Sequence, residues 1–256
     1  MAYHQTTGVV LRTTDFSESS QVLAIITPDL GQVHALAKGS RRPRKDGRLP
    51  PDILSSYDLV FSLRRSGQLH LLYEWSLKEH FPGLRRDLRA LWSAFYAAEL
   101  LLRATTENPD DGPLHAALKD LLLAFDRQDY SEIPLCRFLA RALRALGNLP
   151  IVDRCAQCGG ALHGSVRFSA SAGGVLCGDC HGADQAASHI SGGALAVMRR
   201  LELEDPTDSK LRIMSSQAQE IRRAFAGQIQ YHLGHPLQTE RFLASLTGPL
   251  SDRGHK

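Results

Sequence analysis

Residues 57–78 read YDLVFSLRRSGQLHLLYEWSLK, and the order of apolar and polar side chains along them decides how the N-terminal third folds. Tyr57, Leu59, Phe61 and Leu63 take alternate positions; after Arg64-Arg65-Ser66-Gly67 the alternation resumes at Leu69, Leu71, Tyr73, Trp75 and Leu77, set against His70, Glu74, Ser76 and Lys78. A period of two gives each strand one core face and one wet face, and the Ser-Gly tip joins the two as a hairpin. Toward the N-terminus, Gln5–Thr13, Gln21–Thr27 and Gln32–Lys38 are equally rich in β-branched residues, the last two separated by the turn Pro28-Asp29-Leu30-Gly31. Five short antiparallel strands within about eighty residues close most simply into a small barrel, for which the five-stranded OB-fold is the common nucleic-acid-binding form. An SH3-like barrel satisfies the same periodicity.

Beyond residue 80 the period changes. Leu84, Leu88, Leu91, Trp92, Phe95 and Leu102 recur at helical spacing, as do the apolar residues of Leu114–Phe125 and Leu135–Leu146, with Gly147 and Pro150 closing the third helix. Ala194–Glu204, Ala218–Leu233 and Gln238–Leu246 resume the helical pattern, with Ser216 and Gln219 as a capping box for the second of these. The expected architecture is α+β and multidomain: an OB-fold barrel (1–80), a helical bundle (81–153), a cysteine knuckle inserted in it (154–190) and C-terminal helices (191–256) that pack back on the bundle.

Composition agrees with this division. A chain of 256 residues, 43% hydrophobic and 22% charged, suits two globular domains and disfavours extended disorder. No window approaches the roughly 18 consecutive apolar residues of a membrane helix. The opening MAYHQTTGVVLRTTDF lacks the layout of a signal peptide, so the expected compartment is the cytosol.

The net charge of +3 hides a strong asymmetry. Between Lys38 and Arg48 the chain reads KGSRRPRKDGR, in which Lys38, Arg41, Arg42, Arg44, Lys45 and Arg48 face one acid, Asp46. This window joins the third and fourth strands. Guanidinium groups suit bidentate contact with phosphate, so its expected ligand is the backbone of a nucleic acid. Arg64-Arg65 at the hairpin tip and Arg85, Arg86 and Arg89 before the first helix extend the track; Arg199-Arg200 and Arg222-Arg223 are candidate second patches. Among the aromatics, the alternation puts Tyr57, Phe61, Tyr73 and Trp75 in the barrel core and leaves Phe16, in the first loop, as the freer candidate for base stacking.

Four of the five cysteines form C-x2-C-x18-C-x2-C: Cys155, Cys158, Cys177 and Cys180. Two intervening residues let both thiolates of a pair reach one ion from a tight turn, which Gly159-Gly160 and Gly178 make possible, and four thiolates saturate a tetrahedral zinc. Such a closed site is structural, because zinc catalysis needs an open position. Cys177-Gly178-Asp179-Cys180-His181 also fits a covalent haem attachment, which would imply export where no signal segment is expected, and the pairs fit disulfides, which a reducing cytosol disfavours. Cys136, among Leu135, Leu139 and Leu143, reads as a core residue.

No phosphate-binding Gly-rich loop, H-E-x-x-H, G-x-S-x-G or deaminase H-x-E is present, so the chain reads as a non-enzyme. Two alternatives are a zinc-containing RNA-binding protein and a nucleic-acid-processing enzyme.

In order and spacing the chain resembles the RecO family of bacterial recombination-mediator proteins. The resemblance rests on GVVLRTTDFSESSQVLAIITPDLG (Gly8–Gly31), AKGSRRPRK (Ala37–Lys45), the CAQC and CGDC knuckles, and YHLGHPLQTERFL (Tyr231–Leu243). It implies an OB domain, a helical domain and an embedded zinc knuckle. It also implies binding of single- and double-stranded DNA, strand annealing, and cooperation with RecR to load RecA onto strands covered by single-strand-binding protein.

Overall fold

The N-terminal strands close on one another because each has an apolar face with nowhere else to go. In the computed structural model, which describes residues 3–42, 49–64, 68–108, 111–127, 130–202 and 213–247, they are β1 (Tyr3–Asp15), β2 (Gln21–Thr27), β3 (Gly31–Ala37), β4 (Ser56–Ser62) and β5 (His70–Glu79). They form a closed barrel in the order β1-β2-β3-β5-β4, antiparallel except for the β3–β5 pair. This is OB-fold order; the parallel contact it requires is not implied by alternation alone. The barrel interior holds Val10, Leu23, Ile25, Val33, Ala35, Tyr57, Leu59, Phe61, Leu72 and Trp75. Gly8 lies where β1 passes from β4 to β2, and a Cβ there would meet Ile25 Cγ2 at 2.6 Å, so a side chain is excluded at this point.

The expected alternation of β5 breaks in the middle. Val60 pairs with Glu74 but Phe61 pairs with Leu72, leaving Tyr73 as the extra residue of a β-bulge. Beyond the bulge the phase slips by one, so His70 and Leu72 are buried, and Tyr73, expected in the core, is exposed. Leu77, also expected inside, is exposed as well.

Among the described residues six α-helices follow: α1 (Leu88–Ala104), α2 (Gly112–Arg127), α3 (Ile133–Ala145), α4 (Gly192–Glu202), α5 (Ser215–Leu233) and α6 (Gln238–Thr247). One continuous core runs through all six and takes in Val9, Leu11 and Ile26 from the outer surface of β1 and β2. Those two strands are therefore apolar on both faces where they meet the helices, which explains the unbroken run Val9-Val10-Leu11. Polar ties reinforce the junction: Gln32 donates from its backbone to Thr106 O (3.0 Å) and accepts from Thr105 Oγ1 (3.1 Å). Asp87 caps α1 by accepting from the N–H groups of Arg89 and Ala90. The carboxylate of Glu99, on α1, accepts from the N–H groups of Gln238 (2.8 Å) and Thr239 (2.9 Å), so one helix caps another. The expected Ser216/Gln219 box on α5 is displaced by one turn's start: Gln217 reaches back to the N–H of Met214.

Between α3 and α4, three short strands, β6 (Arg167–Ser169), β7 (Gly174–Leu176) and β8 (Ser188–His189), make a small sheet in the order β7-β6-β8 that carries the cysteine pairs.

Candidate nucleic-acid interface and metal centre

The cysteine pairs converge as the spacing requires. The Sγ atoms of Cys155, Cys158, Cys177 and Cys180 all lie within 4.8 Å of one another, and Cys158 and Cys177 are 4.0 Å apart. A tetrahedral ion with metal–sulfur bonds of about 2.3 Å sets its sulfurs about 3.8 Å apart, so the four thiols could hold one metal ion after drawing together by no more than about 1 Å. Each pair is held by its own turn. Gly159 donates to Cys155 O (2.8 Å) from a left-handed conformation, φ 72°, and Cys180 and His181 both donate to Cys177 O. Burial opposes ionisation of Cys155, yet the N–H groups of Cys158, Cys177 and Gln157 aimed at its sulfur bring that thiol down to about 6. Hydrogen bonding with the sulfurs of Cys177 and Cys158 pushes Cys180 up to about 12. A metal ion held by the four sulfurs would keep Cys180 as a thiolate.

His163 faces Asp179 at 3.5 Å, and neither it nor His181 belongs to the sulfur cluster. Cys136 is fully buried in α3, its thiol pushed up to about 12 by burial.

The basic segment leaves the barrel at a defined place. Ala37 pairs with Gln21 on β2 and, in parallel, with Leu72 on β5, so the chain leaves the barrel beside the β1–β2 loop. Ser40 donates to the Gln21 side chain (3.1 Å), and the N–H of Arg41 donates to Ser19 O (3.1 Å). The segment is pinned again where it returns: Trp75 Nε1 donates to Leu49 O (2.9 Å) and the N–H of Asp52 donates to the Tyr57 hydroxyl (2.8 Å). Lys38, Arg41 and Arg42 are exposed at the first anchor, with Arg41 2.8 Å from Asp15. Arg44, Lys45, Arg48 and Arg65 lie outside the described residues. Arg64 is exposed, and its N–H donates to His70 Nδ1 (3.0 Å).

The remaining basic candidates divide by their partners. Arg85 reaches Asp52 Oδ2 (2.9 Å), Ile53 O (3.0 Å) and His80 O, which ties the returning segment to the end of β5. Arg89 bonds the Asp87 carboxylate and lies over the Tyr130 ring at 4.6 Å. Arg199 donates to Val152 O (2.8 Å) at the entrance to the knuckle. Arg222 is only 3% exposed and sits between Glu240 (2.9 Å) and Glu132 (3.7 Å), an internal ion pair where a surface patch was a candidate. Arg86, Arg200 and Arg223 are exposed.

Of the aromatics, Tyr57, Phe61 and Trp75 are buried and Phe16 is exposed. The pairing of Tyr3 with Tyr73, rings 5.2 Å apart and 74° between planes, was missed by strand alternation. The adjacent Leu71-Leu72 doublet is the signal of the bulge that creates it.

Residues 1–81 match the family described as "Recombination protein O N terminal", and residues 85–241 match "Recombination protein O C terminal". Proteins named "DNA repair protein RecO" are similar over nearly the whole chain. That of Anaeromyxobacter dehalogenans (strain 2CP-C) is 35% identical, covering 95% of this chain and 96% of its own. That of Anaeromyxobacter sp. (strain Fw109-5) is 36% identical over the same shares, and that of Symbiobacterium thermophilum is 31% identical over 96% and 98%.

Proposed function

The chain belongs to the recombination protein O family, and from that membership we propose that it is a recombination mediator that binds single- and double-stranded DNA irrespective of sequence. A member of this family acts in DNA repair and recombination. In the reading we propose, the protein also anneals complementary strands and, with RecR, helps place RecA on DNA covered by single-strand-binding protein. It does so in the cytoplasm, at the nucleoid. Among the described residues no helix is long and apolar enough to cross a membrane.

The observation that supports DNA binding best is the emergence of the basic segment at Lys38, Arg41 and Arg42, exposed beside the β1–β2 loop of an OB-ordered barrel. Arg44, Lys45, Arg48, Arg64, Arg65 and Arg86 complete the set of phosphate contacts we propose, with Arg200 as a secondary one. Arg89, exposed like Arg41 and like it paired with one surface carboxylate, stays among the proposed contacts, whereas Arg85 and Arg199 serve shape through the bonds described above. Phosphate contacts carry no sequence information, as a factor acting at any gap requires. Annealing makes and breaks no covalent bond. A cationic surface that holds two strands lowers their repulsion and raises their mutual concentration, so we read the protein as a non-enzyme.

Residues 1–80 are then the strand-binding unit and 81–256 its helical body, with 154–190 as the knuckle. We assign zinc to the four cysteines: it would fix the knuckle as a closed thiolate centre. The test is whether the pure protein, without nucleotide, accelerates annealing of complementary strands coated with single-strand-binding protein. Acceleration is expected; an unchanged rate refutes the annealing role.

A further inference from the structure

The Tyr3–Tyr73 pair lies on the outer surface of the barrel, 64% and 39% exposed, where neither ring contributes to a core. Two features place it in the proposed strand path. Tyr3 pairs in register with Ser62 on β4, and Tyr73 follows Leu72, the residue that pairs with Ala37 on β3. One residue beyond that pair, Lys38 and Tyr73 are both exposed, so Tyr73 stands on the strand next to the one that runs into the basic segment, at the same level. The second feature is the bulge itself. Without it, Tyr73 would point inward with Trp75 and Leu71; one inserted residue turns it out, and bulges commonly re-aim a side chain at a binding site.

We propose that Tyr3 and Tyr73 form a stacking platform for unpaired bases, which lets the protein favour a single strand over its bare backbone. This rests on the DNA-binding reading and adds to it. Phosphate contact alone cannot tell exposed bases from missing ones. Two aromatic faces beside a cationic track can, because every base offers a π-face while the backbone follows the charges. Edge-to-face packing holds each ring by the other and leaves faces open to solvent.

The experiment titrates full-length protein into a fluorescent homothymidine strand and into a strand of equal length built of abasic sugars, with wild type and Tyr3→Ala/Tyr73→Ala. Wild type is expected to prefer the base-bearing strand by about tenfold, within the range of one stacked base. The double variant should lose that preference, keeping wild-type affinity and salt dependence on the abasic strand. Tyr3→Phe/Tyr73→Phe should retain it. An unchanged preference in the alanine variant, or an equal loss on both strands, overturns the platform. Wild type binding both strands alike overturns the platform and leaves the phosphate track standing; wild type binding neither overturns the DNA-binding reading itself. If the alanine variant fails to fold, Tyr73→Trp decides: a larger ring raises the preference, and no change overturns the proposal.

Discussion

Replacing Lys38, Arg41 and Arg42 together by alanine measures how many phosphates the basic segment holds. Alanine removes a cation without introducing an anion, so the change in salt dependence counts lost contacts rather than new repulsion. If the six cations of residues 38–48 each engage one phosphate of a single strand, the slope of log affinity against log salt is about −4, at about 0.7 per phosphate. Raising salt from about 50 to 200 mM then weakens wild type about 300-fold; the triple variant, with a slope of about −2, weakens only about 20-fold. The Arg41–Asp15 contact does not spoil the count. At 2.8 Å with side chains 42% and 64% exposed, it is a solvent-screened pair. Such pairs contribute at most about 1 kcal/mol, less than a charge-assisted phosphate contact returns. It follows that Asp15→Asn should tighten DNA binding, by up to about fivefold at low salt. Anisotropy titrations at several salt concentrations read both effects. A triple variant that folds normally and keeps the wild-type slope would refute the assignment of phosphate contact to this segment.

Metal analysis of protein purified without chelator should find about one zinc per chain, and Cys155→Ser should lose it and expose the knuckle to proteolysis, since apparent zinc binding energies of ~10–16 kcal/mol support such segments. Glu99→Gln should cost about 1 kcal/mol in denaturant unfolding, as loss of an N-cap does. Burial raises the Glu99 carboxyl, but bonds from Thr239 and Gln238 and the Arg103 charge outweigh it, and its folded pKa is depressed. Its contribution is therefore full above the unfolded value, about 4.3, and fades as pH falls through the folded one, so wild type and variant should converge in acid. Arg222→Met should cost about 3–5 kcal/mol by leaving Glu132 and Glu240 without their cation, whereas the exposed Arg223→Met should change stability by no more than about 0.5 kcal/mol, measured by the same unfolding curves.

The barrel was legible in the sequence because its determinant is local: one apolar face per strand, with turns between. What alternation could not register was the slip within β5, where Leu71-Leu72 marks a bulge, nor the parallel β3–β5 contact, which depends on barrel closure. The cysteine cluster was legible too, from spacing rather than alternation. The C-x2-C spacing encodes the turn within each pair, while the two pairs meet through the bond from Ala156 to Val175 and the small sheet that precedes Cys177.

Cations are different, and the arginines show why. Nothing in the local sequence separates Arg85 from Arg86, yet Arg85 points back to Asp52 and two backbone carbonyls while Arg86 is exposed. Likewise Arg222 is buried between two carboxylates that lie 90 residues before it and 18 after, while its neighbour Arg223 is exposed. The role of a guanidinium is set by which carboxylates and carbonyls the tertiary fold brings opposite it, and these belong to other elements. A cluster such as residues 38–48 escapes the ambiguity by number: six cations in one loop face a single acid within it, and Asp15 pairs with Arg41 at the surface. Its net charge survives any such pairing of one or two members. Clustering is thus a stronger sign of phosphate contact than an isolated Arg-Arg pair.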